Sequence, residues 1–359
     1  MKFNLKDTLK DYKRPFLIAG PCSVESEEQV LTAAESLAKD GRTALMRGGI
    51  WKPRTRPNSF EGIGVDALPW LVNAGKKTGL PVTTEVANSK HVEEALKAGV
   101  DVLWLGARTT VNPFAVQEIS DALVGTDITV MVKNPINPDL MLWIGAFERL
   151  SKAGVSDLIA IHRGFSVYNH PKYRNVPNWE IPIALIEKMP EIPLICDPSH
   201  ISGKREGLLH LAQKAMDLNF AGLMLETHPH PDTALSDPAQ QVTPDGLFQL
   251  LDQLVLRKES ISGEAMNYIE LMREKISAQD DKVFDFLSKR MKLAEEVGIY
   301  KRENGITILQ QEHWKQVVEY RLRQADDFHL TSEFVRALMD AIHQESIRHQ
   351  TKVMNPDLK

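Results

Sequence analysis

Three sets of side chains in this sequence are of types that could carry chemistry. The first is Cys22, His200, Glu226 and Asp237. One thiolate, one imidazole and two carboxylates make a mixed site for a divalent transition metal such as Mn, Fe, Co or Zn. The same four would serve equally as a buried cysteine and rim residues making structural hydrogen bonds. His228 and His230, in the run THPHP, compete for the imidazole place. The second set is basic. The run RGGIWKPRTRP carries Arg47, Lys52, Arg54 and Arg56, and Arg108, Lys133 and Arg163 follow. Concentrated positive charge needs anions to offset its self-repulsion, and arginine forks suit phosphate and carboxylate. The expectation is a pocket for one or two small phosphorylated substrates. The third set lies late in the chain. Arg290 and Lys301 are eleven residues apart, about 20° around a helix, and so share a face. Arg273 falls roughly 100° off that face, so a symmetry mate could supply it more easily than the same chain. Ser346 and Gln350, at i and i+4, fall on one helix face.

These residues need elements to hold them. From residue 16 to about 260, short apolar runs alternate with amphipathic stretches. The runs are Phe16–Ser23, Thr43–Gly49, Pro81–Val86, Val102–Arg108, Ile128–Asn134, Leu158–Phe165, Pro193–His200 and Gly222–His228. Helical patterns between them include Ser26–Lys39, Ser89–Ala98, Pro113–Leu123, Pro138–Ala153, Lys204–Leu218 and Asp245–Lys258. Runs that are continuous rather than alternating are expected of parallel strands buried on both faces. Eight such strands with crossovers predict an α/β fold, a (β/α)8 TIM barrel, with a doubly wound sheet as the other arrangement. Cys22, Arg47, Glu85, Arg108, Lys133, His162, Arg163, His200 and Glu226 stand at the ends of the runs. In such barrels that face holds the active site. Strands 8 and 1 are neighbours in a closed barrel, which makes Cys22 adjacent to Glu226.

The rhythm stops near residue 260. Residues 260–263 read as a linker, dividing a barrel domain over 1–260 from a helical domain over 261–359. Helical patterns follow at Glu264–Arg302, Leu309–Ala325 and Thr331–Val353. The first, about 58 Å long at 1.5 Å per residue, is too long for a hundred-residue monomer to cover. It is expected to bury its apolar side in a homodimer. The net charge of −5 argues against nucleic acid as a partner. No segment reaches a membrane-spanning apolar length, and the N-terminal run reads as no signal peptide. Two cysteines are too few for a disulfide framework, so a cytoplasmic location is expected.

Together GPCSVES, RGGIWKPRTRP, LGAR, KNP, HRGF, DPSH and ETHPHPDTALSDPAQQ resemble 3-deoxy-D-arabino-heptulosonate 7-phosphate synthase, in its single-barrel form, over residues 12–258. The resemblance implies condensation of phosphoenolpyruvate with erythrose 4-phosphate and a divalent metal cofactor held by Cys22, His200, Glu226 and Asp237. It places Arg47 and Lys52 on the phosphoenolpyruvate carboxylate, and Arg108, Lys133 and Arg163 on its phosphate. Arg54 and Thr55 take the sugar phosphate. Lys52 is implied as proton donor to the aldehyde oxygen, with His162 or Glu85 positioning the attacking water. The extra N-terminal regulatory domain of some relatives is not expected. Octulosonate 8-phosphate synthase, which takes arabinose 5-phosphate, resembles the chain less: its loop typically reads KANRSS, where this chain has KPRTRP.

Residues 264–353 resemble the all-helical, intertwined-dimer chorismate mutase. That resemblance implies a pocket of Arg290, Lys301, Glu312, Ser346 and Gln350, with Arg273 from the partner chain. Its substrate is chorismate and its product prephenate, which could feed back on the barrel. The family commonly has an Arg-Glu pair where this chain reads Gln311-Glu312. A catalytically dead module for regulation and dimerisation is the competing reading.

Overall fold

The pleat sorts each strand of the barrel into two sets of side chains. Phe16, Ile18, Leu45, Trp104, Met131, Ile159, Ile161, Ile195 and Met224 fill one buried cluster, the barrel interior. Their sequence neighbours Leu17, Ala19, Met46, Leu103, Leu105, Val130, Val132, Ala160, Leu194, Leu223 and Leu225 join a second cluster, with the helices. Both sets are apolar because both faces are covered, which is why the runs do not alternate in sequence. The strands are β1 (Phe16–Gly20), β2 (Thr43–Arg47), β3 (Val82–Val86), β4 (Val102–Leu105), β5 (Thr129–Lys133), β6 (Leu158–His162), β7 (Leu194–Cys196) and β8 (Gly222–Glu226). They pair in parallel and in sequence order, and the barrel closes where Gly20 of β1 meets Glu226 of β8.

This computed structural model describes residues 8, 14–52, 59–168, 170–257 and 264–356. Arg54, Thr55 and Arg56, and residues 260–263, lie outside the described residues. The chain divides into two units, Met1–Glu259 and Ser260–Lys359.

Among the described residues of the first unit, the strands are joined by helices α1 (Glu27–Asp40), α2 (Leu68–Thr78), α3 (Ser89–Ala98), α4 (Ala107–Thr110), α5 (Pro113–Ala122), α6 (Leu140–Lys152), α7 (Glu180–Lys188), α8 (Pro198–Ser202) and α9 (Leu208–Asp217), and α10 (Pro244–Asp252) follows the last strand. Side chains of Ser26, Asn88, Asn112, Asp139 and Thr243 accept first-turn amides, removing orphan donors that would otherwise fray those ends. Two site residues expected at strand ends belong instead to one-turn helices. His200 lies on α8 and Arg108 on α4. Strand β7 stops because the Asp197 carboxylate accepts the His200 amide at 3.1 Å and Pro198 takes the first helical position.

The second unit holds, among its described residues, α11 (Glu264–Glu303), α12 (Gln311–Arg323) and α13 (Ser332–Met354). A Cβ on Gly298 would stand 2.7 Å from Val353 and 3.1 Å from Gln350 Cα. The absence of a side chain there lets α11 and α13 approach closely beside the pocket described below. No helix among the described residues is long and apolar enough to cross a membrane.

Candidate active sites

Inward parity places Arg47, Glu85, Lys133 and Glu226 above the apolar floor of the barrel. Trp104 is the top of that floor. The Arg47 guanidinium and the Lys133 ammonium lie 5.0 and 5.6 Å from its ring centroid. Its indole N–H donates to Glu85 Oε2 at 3.0 Å. Glu85 fits because residue 106 is glycine, where a Cβ would come within 2.1 Å of Oε1.

The mouth above is a cavity of about 680 Å³. Lys52, Arg108, Lys133, Arg163 and Arg174 line it, against the carboxylates of Glu85 and Asp237. Five cations facing two carboxylates favour an anionic occupant. Arg47 is 1% exposed and does not line the cavity. Its Nη2 instead lies 3.0 Å from Glu226 Oε1, so it acts on that carboxylate from below. Lys133 Nζ donates to Asp197 Oδ2 at 2.9 Å. Burial lowers the Lys133 pKa. For Asp197 burial acts upward but is outweighed by His200 and Lys133, which hold the carboxyl well below its usual range. Burial pulls Arg163 down to about 10, and Asn175 Oδ1 accepts from its Nη1 at 2.7 Å.

The four metal-ligand candidates come together as two pairs. Cys22 Sγ lies 3.4 Å from Asp237 Oδ2, and His200 Nε2 lies 3.7 Å from Glu226 Oε1. Donors bound to one ion at roughly 2.0–2.3 Å stand about 3–4 Å apart, so both pairs have the separation of neighbours in one coordination shell. His200 Nδ1 faces Asp197 Oδ2 at 2.8 Å. An Nδ1–H turned onto that carboxylate would leave Nε2 with its lone pair, as metal-bound imidazoles require. Burial, with Glu226 next in effect, pushes the Cys22 thiol up to about 12; a cation is what would release its proton. The donor set therefore fits a divalent ion. Among the described residues no three His, Cys, Asp or Glu side chains are gathered as a single centre. Asp237 is turned to Arg174 at 3.0 Å, and Gln240 donates to Glu226 Oε2 at 2.6 Å.

His162 does not reach the cavity. It has the outward parity of Leu158 and Ala160 and packs against the rings of Phe165, Trp179 and Phe220 at 5.8, 5.2 and 6.3 Å. Of the two residues expected to position water, only Glu85 is placed to do so. His228 is buried, with Nδ1 accepting the His230 amide at 2.9 Å. Arg174, Asp197 and Asn175 carry parts of the site that sequence reasoning did not assign. Asp197 was signalled by DPSH, an acidic cap three residues before the histidine. Arg174 and Asn175 sit in a long loop after β6 with no periodic pattern to mark them.

In the helical unit a cavity of about 350 Å³ lies among α11, α12 and α13. Arg290, Lys301, Ser346 and Gln350 line it; helical spacing pairs Arg290 with Lys301 and Ser346 with Gln350, and the mutase resemblance implies that the four share one pocket. Arg290 Nη1 donates to Ser346 Oγ at 2.5 Å. Lys301 Nζ donates to Gln350 Oε1 at 3.2 Å and to the Ile308 carbonyl at 2.7 Å. Glu312 is exposed and Arg273 is exposed, and neither lines this cavity. Gln310, His313, Trp314 and His343 do, and they were not foreseen. Trp314 and His343 stack at 3.8 Å.

A closed parallel barrel with a cation-lined mouth, followed by a helical unit with its own cationic pocket, is an enzyme of two active sites acting on anionic substrates. The chain belongs to the DAHP synthetase I family, whose model matches residues 9–261. Residues 272–351 match chorismate mutase type II. Phospho-2-dehydro-3-deoxyheptonate aldolase of Thermotoga maritima is 29% identical over 246 residues, spanning 68% of this chain and 69% of that protein. Its crystal structure superposes with a TM-score of 0.59 at 28% identity, covering 67% of this chain and 68% of that one. A 2-dehydro-3-deoxyphosphooctonate aldolase of Methylobacterium radiotolerans is 28% identical over 257 residues, 67% of this chain and 87% of that protein. The chain unites a DAHP synthase barrel with a chorismate mutase unit, a bifunctional enzyme of the shikimate pathway.

Proposed function

We propose that the barrel condenses phosphoenolpyruvate with erythrose 4-phosphate in a metal-dependent reaction, and that the helical unit rearranges chorismate to prephenate. The observation that carries the first half is the excess of cations around a 680 Å³ mouth lined also by Asp237 and His200, each of which is paired with a buried donor behind it, Cys22 and Glu226. Arg108, Lys133 and Arg163 hold the phosphate of phosphoenolpyruvate, and Lys52 its carboxylate end. Cys22, His200, Glu226 and Asp237 would hold a divalent ion, which would supply Lewis acidity toward the sugar aldehyde. Lys52 delivers a proton to the aldehyde oxygen as C3 of phosphoenolpyruvate attacks that carbon. Positive character then grows at C2. Glu85, hydrogen-bonded to Trp104 and open to the cavity, orients the water that adds there, and phosphate leaves with its bridging oxygen. Arg54 and Thr55 take the sugar phosphate on the family pattern. The octulosonate relative supports a second reading with arabinose 5-phosphate.

In the helical unit no covalent catalysis is needed. Preorganised charges stabilise the polar transition state of a pericyclic rearrangement. Arg290 binds one carboxylate, and Lys301 with Gln350 faces the breaking ether oxygen. Arg273 of a second copy, and Glu312, complete the pocket in a homodimer. Exposed Ile276, Val283, Phe284 and Phe286 along α11 supply its apolar surface. Prephenate or chorismate at this site restrains the barrel, a coupling reciprocal in binding free energy. The enzyme works in the cytoplasm, where its two cysteines stay reduced.

The test is phosphoenolpyruvate consumption by the full chain with each sugar phosphate, with and without chelator, then with prephenate. Turnover with erythrose 4-phosphate that chelator abolishes and prephenate suppresses is the expected result. Preference for arabinose 5-phosphate supports the second reading, and indifference to chelator or prephenate removes the metal or the feedback. Chorismate loss in the same preparation separates an active mutase from a binding module.

A further inference from the structure

The proposed acid, Lys52, sits on a loop rather than on a strand, so something must fix its backbone. Its side chain is tied at one end. Nζ donates to the Cys22 carbonyl at 3.0 Å and lies 3.1 Å from Cys22 Sγ. Its amide donates to the Glu61 carbonyl at 2.8 Å, and Gly64 N–H donates to the Ile50 carbonyl at 3.2 Å. These bonds zip the described part of the loop to itself, and at its root Gly48 N–H donates to the Thr83 carbonyl of β3 at 3.0 Å. Farther out, beside Lys52, the contact with the corner after β3 is a ring pair. The Trp51 indole lies flat on the His91 imidazole, centroids 3.9 Å and planes 4° apart. His91 is itself rigidly seated. Its amide donates to Asn88 Oδ1 at 2.9 Å in the first turn of α3, and its Nδ1 accepts the Ala87 amide at 3.3 Å, just beyond β3.

We infer that His91, through its stack with Trp51, is a positioning residue for Lys52, clamping the loop after β2 to the corner that also presents Glu85. The inference rests on the barrel reaction proposed above. Lys52 follows Trp51 directly, so a swing of the indole is passed to the lysine backbone across one peptide. Misplacement by about 1 Å is enough to cost roughly a hundredfold in rate. The clamp touches neither substrate, but the lysine it places serves both as acid and as the group on the phosphoenolpyruvate carboxylate, so its loss lowers kcat and raises the KM for phosphoenolpyruvate together.

Two substitutions separate the stack from the hydrogen bond. His91→Phe keeps a flat ring over Trp51 and gives up the Nδ1 acceptor. His91→Asn keeps an acceptor and gives up the ring. Turnover with phosphoenolpyruvate and erythrose 4-phosphate is measured for both in the metal-loaded full chain. The expected result is kcat down about tenfold or more in H91N and within about twofold of the parent in H91F. The KM for phosphoenolpyruvate should rise in H91N and stay near the parent value in H91F. Equal losses in both, no loss in H91N, or a loss confined to H91F overturns the inference. If H91N does not fold, Trp51→Leu removes the same stack from the other side and is read by the same criteria against Trp51→Phe. A parent enzyme that consumes neither substrate defeats the proposed reaction instead, which is a different outcome from active parent and unaffected variants.

Discussion

Acidification from pH 7 to pH 5 should destabilise the barrel through one side chain, His162. It is fully buried among Phe165, Trp179 and Phe220. Burial, and secondarily the Arg163 charge, lowers its pKa from 6.5 to about 3. The folded pKa lies below the unfolded one, so between them the unfolded chain binds a proton that the folded chain refuses. Stability is therefore full above pH 6.5 and falls as pH drops toward 3. At pH 5 the unfolded imidazole is 1.5 units below its pKa and the folded one remains neutral. The cost is about 2 kcal/mol at about 1.4 kcal/mol per unit. It depends on the unfolded value alone as long as the folded pKa stays below 5. For a barrel of this size that is a fall of about 4–8 °C in Tm. The assay is urea denaturation at both pH values followed by tryptophan fluorescence. Five of the six tryptophans, Trp51, Trp70, Trp104, Trp143 and Trp179, lie in the barrel unit. In His162→Gln the acid-induced loss should shrink by about 2 kcal/mol, with His162→Phe as a second variant. Identical losses in the parent and both variants would refute the reasoning.

Asp197→Asn keeps the cap on α8 but strands the Lys133 ammonium. It should cost about 3 kcal/mol in thermal melts and weaken Mn2+ binding about 10–100-fold by calorimetry through the loosened His200. Unchanged melting and affinity would remove Asp197 from both roles. Glu85→Gln should lower the barrel kcat at least about a hundredfold while leaving the KM for phosphoenolpyruvate within about threefold; a KM effect alone would make Glu85 a binding group. Arg290→Ala should cut chorismate turnover about 10²–10³-fold and leave the chemistry of phosphoenolpyruvate consumption intact. Equal loss of both activities would contradict separate sites.

The barrel was legible because both faces of its strands are covered, so eight apolar runs stood out with their inward polar ends. Parity along those runs places Arg47, Glu85, Lys133 and Glu226 inside. The same parity applied to β6 puts Arg163 inward and His162 outward, so the placement of His162 was available in the sequence. Boundaries failed where chemistry interrupts a strand. At DPSH the acid that orients His200 also caps a one-turn helix, so the run read through to residue 200 ends at Cys196. The amphipathic turns α2 and α7 fall after irregular loops and lack a polar N-cap, which left them without a start signal. In the tail, helical spacing grouped Arg290 with Lys301 and Ser346 with Gln350. Trp314 was hidden because a loop of seven residues sets the phase between α11 and α12, and no period crosses it; His343, three residues before Ser346 and seven before Gln350 on α13, shares their helix face and was available from spacing.

Cys22 and Asp237 touch across 215 residues of sequence, at the seam where the first strand meets the last. During synthesis the barrel site therefore does not exist until nearly the whole first unit has left the ribosome. No partial barrel can begin the reaction. A ligand gripping both sides of the seam joins the two ends of the ring, and the loop it closes is among the longest the unit offers. Occupancy of this one mouth should thus be felt as resistance of the entire ring to opening, with protection against proteolysis spread over all eight strands rather than confined to the site.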